Sequence, residues 1–165
     1  MHKHNAPEQR FEAYLEQAER TPFSGWNFEY ITKTHRMIEA PRDWNYHTVI
    51  QSYMHNAETM LDMGTGGGEA LAQLTPLPLH TFATEQYPPN VIIAREKLEP
   101  LGVKVIEIDG AKYPDNEILP FDDGYFNLVI NRHESYNVEE LSRIIKNKGI
   151  FISQQVGVRN LEKLV

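Results

Sequence analysis

The sequence predicts an α/β fold in which a doubly wound, mostly parallel sheet carries helices on both faces. From residue 59 onward, short apolar runs alternate with helical segments, which is the order expected of strand–helix–strand units. The runs are apolar at successive positions, as is typical of strands buried on both faces. At 165 residues the chain is long enough for one domain. We expect residues 58–165 to form its core and residues 1–57 to form a helical, aromatic N-terminal cap.

Five segments are predicted strands and read, in chain order, TMLDM, TFATE, VKVIEI, YFNLVIN and IFISQQV. Helices are predicted between them over EALAQL, VIIAREKLEPL and VEELSRIIK. Gly102 and Gly149 are expected to end the second and third of these helices. Asn137 and Glu140 have the spacing of a capping box at the start of the third.

Two further helices are predicted before the first strand. Asn5 and Glu8 have the spacing of a capping box, after which apolar residues follow at helical intervals: Phe11, Tyr14, Leu15 and Ala18. A second helix begins near Asn45 and has one apolar face: Tyr46, Val49, Ile50, Tyr53 and Met54. The aromatic side chains of this part either pack the cap onto the sheet or cover a ligand as a lid. They are Trp26, Phe28, Tyr30, Trp44 and Tyr46.

The composition excludes several kinds of site. The chain has no cysteine, which excludes disulfides and thiolate metal sites, and its seven histidines are too scattered to predict a metal centre. The net charge of −7 argues against binding to nucleic acid through phosphate contacts. No apolar stretch approaches the roughly 20 residues that span a membrane, and the first residues lack the apolar centre of a secretion signal. We therefore expect a cytoplasmic protein without a bound metal.

The segment LDMGTGGGEAL, at residues 61–71, joins the first predicted strand to the next helix. In doubly wound folds ligands bind here, beyond the carboxyl ends of the strands. A nucleotide P-loop is excluded because no Lys-Ser or Lys-Thr pair follows the glycines, and the spacing also fails the dinucleotide pattern G-x-G-x-x-G. Asp62 and Glu69 flank the turn, where a carboxylate competes with a bound pyrophosphate. The turn therefore favours a ligand with positive charge and no phosphate.

Four segments resemble motifs of class I S-adenosylmethionine-dependent methyltransferases, a family with a Rossmann-like fold. The glycine turn is similar to the family's first motif, Asp62-x-Gly64-x-Gly66-x-Gly68, and the end of the second strand carries the family's acidic residue. LPFDDGYFNLVIN resembles the stretch leading into the fourth strand, with Asn127 in place of the usual aspartate. LSRIIKNKGIFI resembles the turn into the fifth strand. The resemblance covers residues 59–156, with the motifs in the family's order.

The resemblance implies that S-adenosylmethionine is the cofactor. It implies that Asp62 and the glycine backbone hold the methionine part, and that Glu85, at the end of the second strand, holds the ribose hydroxyls. Asp109, after the third strand, is implied to lie near the adenine, and we expect Asn131 to belong to the same site. Other interpretations stay open. Glu85 can be a solvated charge at the end of its strand, and Asp109 can merely cap a helix or turn while Asp115 takes its position at the site.

The methyl acceptor is expected beside NRHESY, at the end of the fourth strand. Methyltransferases that act on nucleobase or glutamine amines usually have Asn/Asp-Pro-Pro-aromatic here, but Arg132 and His133 replace the prolines. This departure argues against an exocyclic base amine as the acceptor. His133 can act as a general base that Glu134 orients, or both residues can simply cap the next turn. Arg132 can pair with an acidic substrate, or with Asp122 or Asp123.

Two functions from different classes remain. The first is a methyltransferase acting on a small molecule, and the second is a non-catalytic domain that binds S-adenosylmethionine. A methyltransferase for RNA or protein is a further alternative. A nicotinamide-dependent dehydrogenase is disfavoured by Glu69 at the turn.

The fifth predicted strand is expected to lie at an edge of the sheet. Sheets of this family normally have seven strands, whereas five are predicted here, so the chain is expected to be shortened relative to its relatives. Natural proteins seldom leave an apolar edge strand bare. We therefore expect residues 150–156 to be covered by a second copy of the chain in a homodimer, or by residues 157–165.

Overall fold

The structure, a computed structural model, describes residues 6–20, 29–35, 37, 42–109 and 118–158. Its helices are α1 (Ala6–Arg20), α2 (Glu29–Thr32), α3 (Tyr46–Met54), α4 (Glu69–Ala72), α5 (Pro88–Leu98) and α6 (Val138–Ile144), and a 3₁₀ turn (Glu99–Leu101) follows α5. Its strands are β1 (Thr59–Met63), β2 (His80–Glu85), β3 (Lys104–Glu107), β4 (Phe126–Arg132) and β5 (Ile145–Gln154). The predicted α/β class is confirmed.

The five strands form one sheet in the order β3-β2-β1-β4-β5, and every neighbouring pair is parallel. The strands therefore all end at the same side of the sheet. The register places Asn131 between Met63 of β1 and Ser153 of β5. On the other side of β1, Glu85 at the end of β2 lies opposite Glu107. The sheet thus collects the predicted strand-end residues along its carboxyl ends.

Helices cover both faces of this sheet. The first apolar cluster packs α3, α4 and α5 against one face and includes Ile50, Met60, Leu71, Leu98 and Leu128. The second packs α6 against the opposite face and includes Leu61, Phe126, Val129, Leu141 and Ile144. Neighbouring residues of a strand point to opposite faces, which is why all five residues of β1 are buried.

The passage from α6 into β5 differs from the prediction. Gly149 was expected to end the helix, but α6 ends at Ile144 and β5 begins at the next residue. The reason is tertiary: Ile145 pairs with Phe126 of β4, and a bulge then intervenes before Ile150 pairs with Leu128. A Cβ on Gly149 would lie 2.9 Å from the Phe126 carbonyl oxygen, so glycine is needed there for close approach to β4.

The N-terminal part is described only in pieces. The side chain of Asn45 accepts a hydrogen bond from the Thr48 N–H, so α3 begins as predicted and buries three residues of its apolar face: Tyr46, Ile50 and Met54. By contrast, the predicted apolar face of α1 is exposed, with Phe11 at 63%. The Asn5–Glu8 capping box, Trp26, Phe28 and the side chain of Tyr30 lie outside the described residues. Residues 159–165 of the predicted covering tail also lie outside them.

Candidate active site

The glycine turn between β1 and α4 has a backbone that favours glycine. Gly64, Gly66 and Gly68 have φ angles of 67°, 62° and 79°, in the left-handed region where a Cβ costs energy. The Thr65 N–H donates to the Thr84 carbonyl oxygen over 2.9 Å, which ties the turn to β2. The sequence therefore specifies this turn through its local backbone requirements.

The three glycines differ in what surrounds them. A Cβ on Gly64 would lie 2.5 Å from the Glu134 Cγ, and a Cβ on Gly68 would lie 2.7 Å from the Leu98 Cγ. A Cβ on Gly66 would meet no atom within 4 Å. Neighbouring side chains of the described protein thus leave no room for a Cβ at Gly64 or Gly68. At Gly66 the backbone instead faces open space, as a ligand-binding turn requires.

Asp62 is a buried carboxyl group at the end of β1, with 6% of the residue exposed. Burial raises its pKa to about 7, and the Glu85 carboxylate adds to this rise. An ionised carboxylate in such a place is unfavourable unless a positive charge accompanies it. Asp62 is therefore suited to a cationic ligand beside the turn.

Glu85 is bound to the backbone of two loops. Its carboxylate accepts hydrogen bonds from the N–H groups of Gly66 at 2.7 Å, Tyr87 at 2.8 Å and Gln86 at 3.1 Å. Only 6% of Glu85 is exposed, so the alternative interpretation of Glu85 as a solvated charge does not agree with the structure. Glu85 thus holds the glycine turn in shape from the end of β2.

Asp109 lies two residues beyond β3 and is exposed. It falls on the same side of the sheet as Glu85, because β2 and β3 run parallel. The following residues 110–117, including Asp115, lie outside the described part of the chain. The choice between these two aspartates therefore stays a prediction.

Asn131 is fully buried near the end of β4. Its backbone carbonyl accepts a hydrogen bond from the Tyr46 hydroxyl over 3.0 Å, and its side-chain Oδ1 accepts one from Gln155 over 2.7 Å. Its Nδ2 is buried and has no hydrogen-bond partner among the described residues. A buried donor without a partner is costly, so this amide is available to a bound ligand.

His133 and Glu134 follow β4 but face different neighbours. The Nε2 of His133 lies 3.4 Å from the Gln154 Nε2. Glu134 instead accepts a hydrogen bond from the Gln86 side chain over 3.3 Å, and burial together with the Glu85 charge raises its pKa. The geometry therefore does not support the expectation that Glu134 orients His133. A catalytic role for either residue stays a prediction.

A cavity of about 220 Å³ opens between the glycine turn and α3. Its walls include Asp62, Gly64 and Glu69 from the turn, and Tyr46 and Arg132 from the opposite side. Glu69 begins α4 as expected and forms an ion pair with Lys97 over 2.8 Å. The cavity joins the predicted ligand turn to the predicted acceptor side of the site.

Tyr46 and His47 line this cavity, although the sequence did not identify either as a specific site residue. Burial, followed by the charge of Asp62, raises the pKa of Tyr46. Burial lowers the pKa of His47, and the charge of Arg132 acts in the same direction. The only indication in the sequence was that the segment before the first strand is rich in aromatic residues, which was consistent with packing onto the sheet or with a lid over a ligand.

The described residues also bear on three other expectations, which concern a metal site, a membrane span and a partner for Arg132. In the described residues, no group of three or more His, Asp or Glu side chains could hold a metal ion. None of the described helices has the length and apolar character needed to cross a membrane. Asp123, a suggested partner of Arg132, instead pairs with Arg143 over 2.8 Å.

Several solved structures share this fold. A protein of Pyrococcus horikoshii aligns with a TM-score of 0.58 and 21% identity, over 88% of this chain and 68% of that one. A precorrin-6y C5,15-methyltransferase of Geobacter metallireducens gives 0.54 and 17%, over 78% and 73%. The YcgJ protein of Bacillus subtilis gives 0.52 and 20%, over 65% and 49%, so this chain spans about half of its length. At these identities the likeness concerns the fold.

The sequence itself matches a family model. No curated protein matches the chain. The model of the methyltransferase domain matches residues 61–153, from β1 through almost all of β5, and thus contains the glycine turn, Glu85 and Asn131. The chain therefore belongs to the methyltransferase domain family, within the class I S-adenosylmethionine-dependent methyltransferases of Rossmann-like fold.

Proposed function

We propose that this protein transfers a methyl group from S-adenosylmethionine to a small-molecule acceptor. The observation that carries the proposal is the pairing of open space at Gly66 with the buried carboxyl of Asp62. S-adenosylmethionine supplies an activated methyl group on a positively charged sulfur, together with a cationic amino group. The glycine turn offers backbone that a ligand can approach, and a carboxyl group whose ionisation such a cation would favour.

The other residues near the turn also fit this cofactor. Glu85 is proposed to bind the ribose hydroxyls while it keeps the glycine turn in place. The Nδ2 of Asn131, which has no hydrogen-bond partner among the described residues, supplies a buried donor. Glu134 lies over Gly64, so its side chain is the one that a ligand on this side of the turn would displace. Asp109 is proposed to lie near the adenine.

The acceptor is proposed to bind in the cavity between the turn and α3. An already activated methyl donor leaves alignment of the reacting groups as the main task of the protein. His133 follows Arg132 of the cavity wall without lining the cavity itself. It is proposed to take the proton of a hydroxyl or carbon acid, because the unperturbed pKa of histidine lies near neutral pH. Residues 1–57 are proposed to form a cap on the core, and the burial of Tyr46, Ile50 and Met54 supports this proposal for α3.

The experiment is a methyl-transfer assay with S-adenosylmethionine labelled on its methyl group. The protein is incubated with a panel of small hydroxyl and carbon acids, and S-adenosylhomocysteine release is measured beside label in the acceptor. Label transfer that depends on the acceptor and is lost in Gly66→Val supports the proposal. Binding of the cofactor with no transfer to any member of the panel, or to RNA or protein, supports the non-catalytic binding domain instead.

A further inference from the structure

We infer that the methyl acceptor carries a carboxylate and that Arg132 binds it. This inference rests on the proposed methyl transfer and adds the chemical class of the substrate. Arg132 has no role in the methyl transfer proposed above. Its guanidinium carbon lies 5.9 Å from the centroid of the Tyr46 ring, and both residues line the cavity beside the turn.

The guanidinium of Arg132 acts on Asp62 across the cavity, where its charge lowers the pKa of that carboxyl, but the two groups form no direct ion pair. Its Nε is buried and makes no hydrogen bond within the described residues, and no carboxylate there forms an ion pair with it. Arg143 provides the contrast, because its guanidinium donates to Glu140, to Asp123 and to two backbone carbonyls. A buried, unpaired guanidinium donor is costly, so its retention points to a ligand that pairs with it.

Arg132 lies where the ligand cavity meets a second groove. The groove measures about 580 Å³ and shares Tyr46, His47, Gln73 and Arg132 with the cavity. Asp62 and the glycine turn line the cavity but not the groove, whereas Gln154 lines the groove but not the cavity. Gln154 is 4% exposed, and its Oε1 has no hydrogen-bond partner among the described residues. Arg132 thus faces the space beyond the cofactor turn, beside an acceptor atom that a hydroxyl or N–H group of a ligand, but not its carboxylate, could satisfy.

The charges around Arg132 favour a carboxylate over a phosphate. Asp62 and Glu69 line the same cavity, and although Lys97 pairs with Glu69, repulsion between negative charges weakens the binding of a dianion more than that of a monoanion. Burial and the charge of Arg132 lower the pKa of His47, which disfavours a second positive charge beside Arg132. A single guanidinium therefore faces the ligand, and its two parallel donors match the two oxygens of one carboxylate.

The carboxylate could also be that of the cofactor's methionine part, and the experiment separates the two sources. Calorimetry measures S-adenosylhomocysteine binding, and methylthioadenosine binding as a probe that lacks the amino-acid end. The S-adenosylhomocysteine-saturated protein is then titrated with benzoate, its neutral analogue benzamide, and phenyl phosphate. The proteins are the wild type, Arg132→Gln, and Arg95→Gln as a control that removes a half-exposed arginine from α5, outside both cavities.

We expect the wild type and Arg95→Gln to bind benzoate about tenfold or more tightly than benzamide and phenyl phosphate. Arg132→Gln should lose this preference and keep its S-adenosylhomocysteine affinity within about twofold. Equal binding of benzoate and benzamide by the wild type, or a preference for phenyl phosphate, would overturn the inference. So would a loss of S-adenosylhomocysteine affinity in Arg132→Gln with methylthioadenosine binding unchanged. Failure of the wild type to bind S-adenosylhomocysteine would overturn the proposed function itself.

Discussion

Replacing Asp62 with asparagine should stabilise the unliganded protein at neutral and alkaline pH. Burial raises the pKa of this carboxyl from 3.8 to about 7. At about 1.4 kcal/mol for each pKa unit, ionising it in the folded protein costs up to about 4 kcal/mol. Asparagine has nearly the same shape and never ionises, so Asp62→Asn removes this cost.

The stability of the wild type depends on pH because its folded and unfolded states bind the Asp62 proton with different affinities. Between pH 3.8 and about 7 the folded state holds the Asp62 proton more tightly than the unfolded state. The wild type therefore loses stability as pH rises through this window, and the loss is complete above pH 7. The advantage of Asp62→Asn should grow from about 2 kcal/mol at pH 5 to about 4 kcal/mol at pH 8.

Urea denaturation at pH 5, 6, 7 and 8 measures the free energy of unfolding of both proteins. Any cost of burying the asparagine amide is independent of pH. The variation with pH of the difference in unfolding free energy between the two proteins therefore reports on the Asp62 carboxyl. Asp122→Asn, which removes an exposed carboxylate, is the control for losing one negative charge. A difference that stays constant, or that turns against Asp62→Asn as pH rises, would refute the reasoning.

Four further predictions concern the site and the sheet. Gly66→Val and Gly102→Val place a side chain at φ angles of 62° and 83° with no neighbouring atom within 4 Å, so each should lose roughly 1–2 kcal/mol of stability. Only Gly66→Val should abolish S-adenosylhomocysteine binding in calorimetry, and equal binding by both variants would contradict a ligand at the turn. Glu85→Ala should weaken that binding by about 1–3 kcal/mol, whereas an unchanged affinity would remove Glu85 from the site. His133→Asn, chosen because asparagine tolerates the left-handed backbone at φ 65°, should keep cofactor affinity and lower kcat by about 10²–10⁴. An unchanged kcat with the true acceptor would make His133 structural. A second copy of the chain or residues 157–165 should cover β5 at the edge of the sheet; light scattering detects the dimer, and a strict monomer with a bare edge would contradict this.

The features that the sequence predicted best are those determined locally. TMLDM is apolar on both faces, and β1 is accordingly buried at every residue. The glycine turn was predictable because glycine tolerates the left-handed φ angles found at Gly64, Gly66 and Gly68. The start of α3 follows from the side chain of Asn45, which accepts a hydrogen bond three residues ahead.

The features that the sequence did not reveal depend on distant contacts. The start of β5 is decided by pairing of Ile145 with Phe126, which no local helical or strand pattern contains. Glu134 faces Gly64 and Gln86 because of how the loops after three strands meet at the carboxyl ends of the sheet. The ring of Tyr46 meets Arg132 only once α3 has packed beside β4.

The exposed apolar face of α1 shows a third limit. Helical spacing of Phe11, Tyr14 and Leu15 correctly predicted a helix, but all three are exposed in the described structure. A hydrophobic pattern indicates that a helix has an apolar face. It does not identify the surface that covers this face.

The most direct test of the cofactor assignment is a pair of calorimetric titrations on the purified wild type, one with S-adenosylhomocysteine and one with NAD. The buried carboxyl of Asp62 and the open backbone at Gly66 should accept the first ligand, with micromolar affinity. The pyrophosphate of NAD would meet carboxylates at the turn, so no binding of the second is expected. Micromolar binding of NAD together with no binding of S-adenosylhomocysteine would contradict the account.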